Sequence, residues 1–208
     1  MRAGRSPRMR SSDSALALVP LLYDPVLLVL QHESFRDRPL PAGRGGRVAP
    51  AAAALVLAIV LAQVALGGWV STNYAVLACE QFPTCQGSWW PEMDFKTGFT
   101  LWRPLGTDGQ GGWITLAALT AIHMAHRWMA VLALGALAWL AFKLRGFSAF
   151  DQDRRWLWAL ATWQLLTGLS NVVMDWPLAS ALAHTLGAAL IVWRLTRLIV
   201  LPRYQGDS

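Results

Sequence analysis

The sequence predicts an all-α integral membrane protein, a bundle of four transmembrane helices, and three observations predict it. Of its 208 residues 55% are apolar and only 14% charged, a balance that a water-soluble chain of this size does not need. The charges are also spaced so as to leave long gaps, with no Asp, Glu, Lys or Arg between Arg47 and Glu80, over residues 156–174, or over 176–193. About 20 apolar residues in a helix cross the hydrocarbon while satisfying every backbone group internally. Finally, the basic residues gather at the ends of these stretches rather than along them.

Taken in order, residues 1–47 stand apart. They are rich in Arg, contain no Lys, and are interrupted by Pro20, Pro25, Pro39 and Pro41. Their one apolar run, 15–30, is too short to span comfortably, carries Asp24 and two prolines, and is followed by Gln31, His32 and Glu33 instead of a small-residue cleavage site. The segment reads as a disordered cytoplasmic tail, or as a stretch placed in the protein by a mis-assigned start. The bundle itself is expected over 48–202, with spans at 49–70, 113–142, 156–174 and 177–201, the second long enough to overhang; 203–208 is a short cytoplasmic tail.

Orientation follows from the charge. The net charge is +6, and the basic residues flanking the spans are Arg44 and Arg47 before the first, Lys143, Arg145, Arg154 and Arg155 between the second and third, and Arg194, Arg197 and Arg203 at the end. All lie on one side, so the positive-inside rule makes that side cytoplasmic, with both termini, and puts the loop at 71–112 outside. The basic balance is thereby assigned to a lipid bilayer, and a nucleic-acid role is excluded. Twelve Trp residues fit interfacial belts, with Trp89, Trp90, Trp102 and Trp113 near the outer surface and Trp139 and Trp156 near the inner. Both cysteines, Cys79 and Cys85, fall in the outer loop, where an oxidising compartment permits a disulfide. That pair is either a structural staple or a redox couple facing the periplasm.

Ionisable side chains within spans are costly and mark function. Here they are His123, His126 and Arg127 in the second span and His184 in the fourth. Two histidines from different helices, with little acidic company, suit bis-imidazole ligation of haem iron better than zinc, which takes three or four protein ligands. A buried Arg127 needs an anion, no span contains Asp or Glu, and a haem propionate would supply one. The alternative is that the histidines only bond across helices and Arg127 snorkels to the interface. His123 and His126 project about 60° apart on one face, and the axial rise of 1.5 Å per residue does not decide which of them pairs with His184. A faint repeat accompanies these residues: Gln63 precedes Gly67 by four, and Gln164 precedes Gly168 by four, each in a span before a histidine-bearing one. These glycines, and Gly187 with Ala188, leave room for a flat macrocycle or simply for close helix packing.

Three stretches carry a resemblance. GGWVSTNYAVLACEQFPTCQG with WWPEMDF, then ALTAIHMAHR, and later WPLASALAHTLGAAL resemble the haem A synthase family of membrane oxidoreductases, and the likeness extends over nearly everything after about residue 50. That family oxidises a methyl group of haem O to the formyl group of haem A for cytochrome c oxidase, in the bacterial inner membrane. The resemblance implies His126, in the His-Arg pair, and His184 as axial ligands of haem iron, and Cys79 with Cys85 as the outer-loop pair. It also implies a fold of two four-helix halves, one holding a cofactor haem b and one the substrate haem. One half has a Glu three residues before its His-Arg pair; His123 stands there in this chain, which therefore resembles the half without it, the C-terminal one. A bis-histidine iron has no open position, so such a half suits electron transfer or support and needs a second four-helix half or a copy of itself. A b-type cytochrome module and a non-catalytic assembly remnant are the competing functions; the electron donor is not legible.

Overall fold

The computed structural model describes residues 44–204, with side chains over 50–200 apart from Ala149. The tail expected at 1–47 lies outside the described residues up to position 43, as does the terminal tail from 205 onward. Among the described residues there are five α-helices, α1 (Arg44–Thr72), the single-turn α2 (Phe95–Gly98), α3 (Leu116–Lys143), α4 (Asp151–Val173) and α5 (Leu178–Tyr204), with short 3₁₀ turns at Ala75–Ala78 and Ser148–Phe150. No strand occurs among the described residues; two isolated bridges, Cys85 to Ser88 and Thr107 to Trp113, tighten the outer loop.

Local chemistry sets the helix ends. The Thr115 side chain accepts from Ala118 N at 3.2 Å and caps α3, and Asp94 accepts from Thr97 N at 3.1 Å to cap α2. The Thr97 side-chain and backbone donors hold the Asp94 carboxyl below its ordinary range. Asp151 and Asp153 occupy the first turn of α4, where acidic groups complement the helix dipole. Between α4 and α5 the chain reverses through Asp175 and Trp176, both left-handed at φ 55° and 58°.

Among the described residues three helices, over Pro50–Thr72, Leu116–Lys143 and Leu178–Val200, are long and apolar enough to cross a membrane. The expectation of four such spans is thus met in part. With 23 residues α4 has the length, but the charges of its first turns and the polar Thr162, Gln164, Thr167, Ser170 and Asn171 dilute its hydropathy.

The four long helices close a ring, α1 against α3 and α5, and α4 against α3 and α5. Small and branched side chains fill the end of the ring nearest the basic residues: Ala53 and Val56 of α1, Leu140 of α3, Leu157 of α4, and Leu195 and Leu198 of α5 are all buried. Large apolar residues such as Leu55, Val131 and Leu182 face outward, as a lipid-facing surface requires. The outer loop is tied down by Trp69 Nε1 donating to the Gly98 carbonyl at 2.9 Å and by Arg103, which donates to Asn73 Oδ1 and the Thr107 carbonyl, each at 2.8 Å.

At the basic end Asp153 is only 2% exposed. One of its oxygens accepts from Arg194 at 3.3 Å and from Arg197 at 3.2 Å, and Arg194 also lies over the Trp156 and Trp193 rings at 4.8 and 4.6 Å. Removing one member of a buried ion pair strands the other charge. Asp153→Asn is therefore expected to cost about 3–5 kcal/mol, read as a lower unfolding midpoint in detergent, whereas Arg155→Ala at an exposed position is expected to stay within about 0.5 kcal/mol; equal midpoints for the two variants would contradict the assignment.

Candidate functional site

Beyond the packed end, the ring opens into a cavity of about 390 Å³, within the usual size of ligand pockets. Its walls come from all four long helices and its roof from Phe82, Pro83 and Trp89 of the outer loop. The lining is largely apolar, and its polar members are Gln63, Gln164, His123, His126, Arg127 and His184. The structure thus gathers every ionisable residue singled out within the spans. His126 reaches the cavity from α3 and His184 from α5.

Each of these two rings sits on a glycine of the preceding long helix. A Cβ at Gly67 would lie 3.2 Å from His126 Cε1, and one at Gly168 would lie 3.1 Å from His184 Cε1. The repeat seen in the sequence is therefore a repeat of geometry, with α1 seating the α3 histidine as α4 seats the α5 histidine. These glycines make room for the imidazoles themselves, a role beside the two, a macrocycle or close helix packing, that the sequence leaves open. Gly187 has another role: a Cβ there would meet Trp163 Cδ1 at 2.6 Å, so it permits close packing of α5 on α4.

The polar partners differ between the two halves of the repeat. Gln63 Nε2 lies 3.1 Å from His126 Nδ1 and 3.3 Å from its Nε2. Gln164 Nε2 instead donates to the His184 carbonyl at 2.8 Å, and the His184 ring meets Thr167 Oγ1 at 2.9 Å through Nδ1. Sequence reasoning missed Thr167; the signal available was a hydroxyl residue beside the repeat glycine.

His123, 3% exposed, touches the cavity at its edge. Its Nε2 accepts from Arg127 Nε at 3.2 Å. The Arg127 fork continues into the loop, donating to the carbonyls of Thr84 at 3.1 Å, Cys79 at 3.0 Å and Gln81 at 2.8 Å. Cys79 and Cys85 are joined in a disulfide, both sulfurs' residues fully buried against Met124 and Met93, so the ring of residues 79–85 closes around the guanidinium. The expectation that Arg127 needs an external anion is revised accordingly. Four of the five N–H donors of an arginine are met by the protein, and what an anion would add is charge neutralisation.

Among the described residues no group of three or more His, Cys, Asp or Glu side chains could hold a metal ion. The donor set is instead two imidazoles from facing helices in an apolar chamber, which fits a planar metal macrocycle held from two sides better than a bare cation. The fold and the site define a helical membrane protein with a paired-histidine cavity under a disulfide-closed loop. The family described as cytochrome oxidase assembly protein, COX15-CtaA, matches residues 14–196, and the chain belongs to it. The match begins well before the point near residue 50 where the motif resemblance starts.

Relatives agree. The chain is similar to the haem A synthase of Shewanella oneidensis, 34% identical over 152 residues, which is 73% of this chain and 46% of the relative. It is also similar to that of Methylobacterium nodulans, 30% identical over 159 residues, 75% of this chain and 40% of the relative, and that of Erythrobacter litoralis, 32% identical over 141 residues, 64% and 36% respectively. The chain spans less than half the length of these curated relatives. No solved structure matches it.

The Arg127 clamp generates a test. Each hydrogen bond to a charged donor is worth about 1.5–3 kcal/mol, so Arg127→Ala is expected to make the Cys79–Cys85 bond reducible at least about tenfold faster by a water-soluble phosphine, scored by alkylation of the freed thiols. Arg127→Lys, which keeps the charge and loses the fork, falls between; an unchanged rate in Arg127→Ala would contradict the clamp.

Proposed function

We propose that this chain is a haem-binding half of a haem A synthase, a membrane oxidoreductase that converts haem O to haem A for cytochrome c oxidase, and that it corresponds to the half holding a cofactor haem b. The observation that carries this reading is the pair His126 and His184, presented from two helices into one apolar cavity and each seated on a glycine. In this reading α4 is the fourth crossing, the basic ends face the cytoplasm, and the loop with Cys79 and Cys85 faces the periplasm, as the charge distribution favours.

His126 and His184 would be the axial ligands. His123 is the less suited neighbour, because its Nε2 is already engaged by Arg127. A bound haem supplies one-electron transfer. The work of the chain's own residues is to fix the two imidazoles, to exclude water with the apolar walls, and to offer a positive charge at the roof. Arg127 keeps one N–H donor beyond the four already used and lines the cavity, which supports a role in meeting a propionate. If His126 and His184 both hold the iron, oxidation of haem O would belong to a complementary four-helix half, from another segment or another copy.

Purified chain in detergent should show a low-spin reduced-minus-oxidised haem spectrum, with haem B as the extracted pigment. His126→Ala and His184→Ala should each abolish it, while His123→Ala should retain it. A spectrum lost in His123→Ala and kept in His126→Ala would overturn the ligand pair, and absence of bound haem in the unaltered chain would overturn the reading as a whole. Haem A made by this chain alone, in cells without their own synthase, would overturn its restriction to the cofactor half.

A further inference from the structure

We propose that Thr167 is a positioning residue that holds the His184 imidazole in the Nδ1–H tautomer and so makes Nε2 its lone-pair nitrogen. The argument is a count of protons. A threonine hydroxyl has one hydrogen to donate and two lone pairs. Thr167 Oγ1 lies 2.8 Å from the Trp163 carbonyl and 2.9 Å from His184 Nδ1. If the hydroxyl hydrogen pointed at Nδ1, its oxygen would face the carbonyl oxygen at 2.8 Å with no proton between them, a repulsive contact. The hydrogen therefore goes to the carbonyl, and Nδ1 must bring its own.

The surroundings hold this arrangement. Trp163 Nε1 donates to the Ala183 carbonyl at 2.9 Å, Gln164 to the His184 carbonyl at 2.8 Å, and Ser180 Oγ to the Thr167 carbonyl at 3.0 Å. Three cross-helix bonds thus fix α4 on α5 on both sides of the histidine. The other half of the repeat lacks the device: the position equivalent to Thr167, one before the glycine, is Leu66, and the His126 ring meets the Gln63 amide instead. Consequently the two histidines are inequivalent, His184 constrained to one tautomer by a hydroxyl acceptor and His126 approached by an amide that can present either a donor or an acceptor.

An N–H donated to a fixed acceptor raises the basicity of the opposite nitrogen, and such outer partners typically change metal affinity 10–100-fold. On the haem reading above, on which this consequence rests, a more basic His184 favours ferric over ferrous iron. Two readouts separate the two claims. In the full chain in lipid without haem, ¹⁵N-histidine magnetic resonance should show His184 as Nδ1–H in the unaltered protein and in Thr167→Ser, and as Nε2–H or a mixture in Thr167→Val. With haem loaded, Thr167→Val should shift the ferrous-to-ferric ratio about tenfold toward ferrous, an upward change of about 59 mV for a one-electron couple, with Thr167→Ser restoring the original value. His184 found as Nε2–H in the unaltered chain, or unchanged by Thr167→Val, would overturn the proposal. Failure to load haem would overturn the haem reading and leave the tautomer result standing.

Discussion

Hydrocarbon offers no hydrogen-bond partners, so polar side chains carried into this bundle draw on other parts of the chain, although Gln63 Oε1, His123 Nδ1 and Asn171 Oδ1 are buried without one. That constraint explains which helices touch where. Asp153 draws Arg194 and Arg197 of α5 onto α4 at the basic end; Trp163, Gln164 and Thr167 bond to α5 around His184; Gln63 reaches from α1 to His126 of α3. Arg127 reaches out of the bundle altogether and gathers the carbonyls of the disulfide ring. Apolar packing fills one end, and polar satisfaction organises the rest.

The cavity is a by-product of that organisation as much as of packing. Glycines at 67 and 168 let the Cε1 edges of two imidazoles come close to the preceding helices, and both rings line the cavity. The loop then closes the top, because Arg127 fixes residues 79–85 and these bring Phe82 and Pro83 over the opening. Stability and site share one set of bonds, so the disulfide ring and the histidine helix cannot shift independently. This coupling gives the paired cysteines a structural meaning that does not depend on any redox cycle.

Much of this was legible in the sequence. Charge gaps located the four long helices to within about five residues at most ends, and the rarity of His and Arg in apolar stretches located the site. The spacing of Gln63 with Gly67 and Gln164 with Gly168 reveals a repeat, but not that each glycine seats an imidazole, because a sequence does not say whether a glycine faces a neighbouring ring or a ligand. The partners of Arg127 were illegible for a different reason: backbone carbonyls carry no residue code, and only a folded loop can aim three of them at one guanidinium. Likewise the polar residues of α4 carry no sign in the sequence of what they meet, whereas in the structure Gln164 and Thr167 bond to His184 of α5. Spacing alone leaves His123 and His126 as alternatives and the family resemblance favours His126; what the sequence does not show is that Arg127 Nε engages His123 Nε2.

The central claim is that one haem is held between His126 and His184. Electron spin echo spectroscopy of the oxidised, haem-loaded chain, with ¹⁵N introduced only into histidine, measures it most directly. Two histidine nitrogens coupled to one low-spin iron in the unaltered chain, with the low-spin signal absent from His126→Ala and from His184→Ala, is the predicted result. A single coupled histidine in the unaltered chain, or coupling that survives both substitutions, would contradict the account.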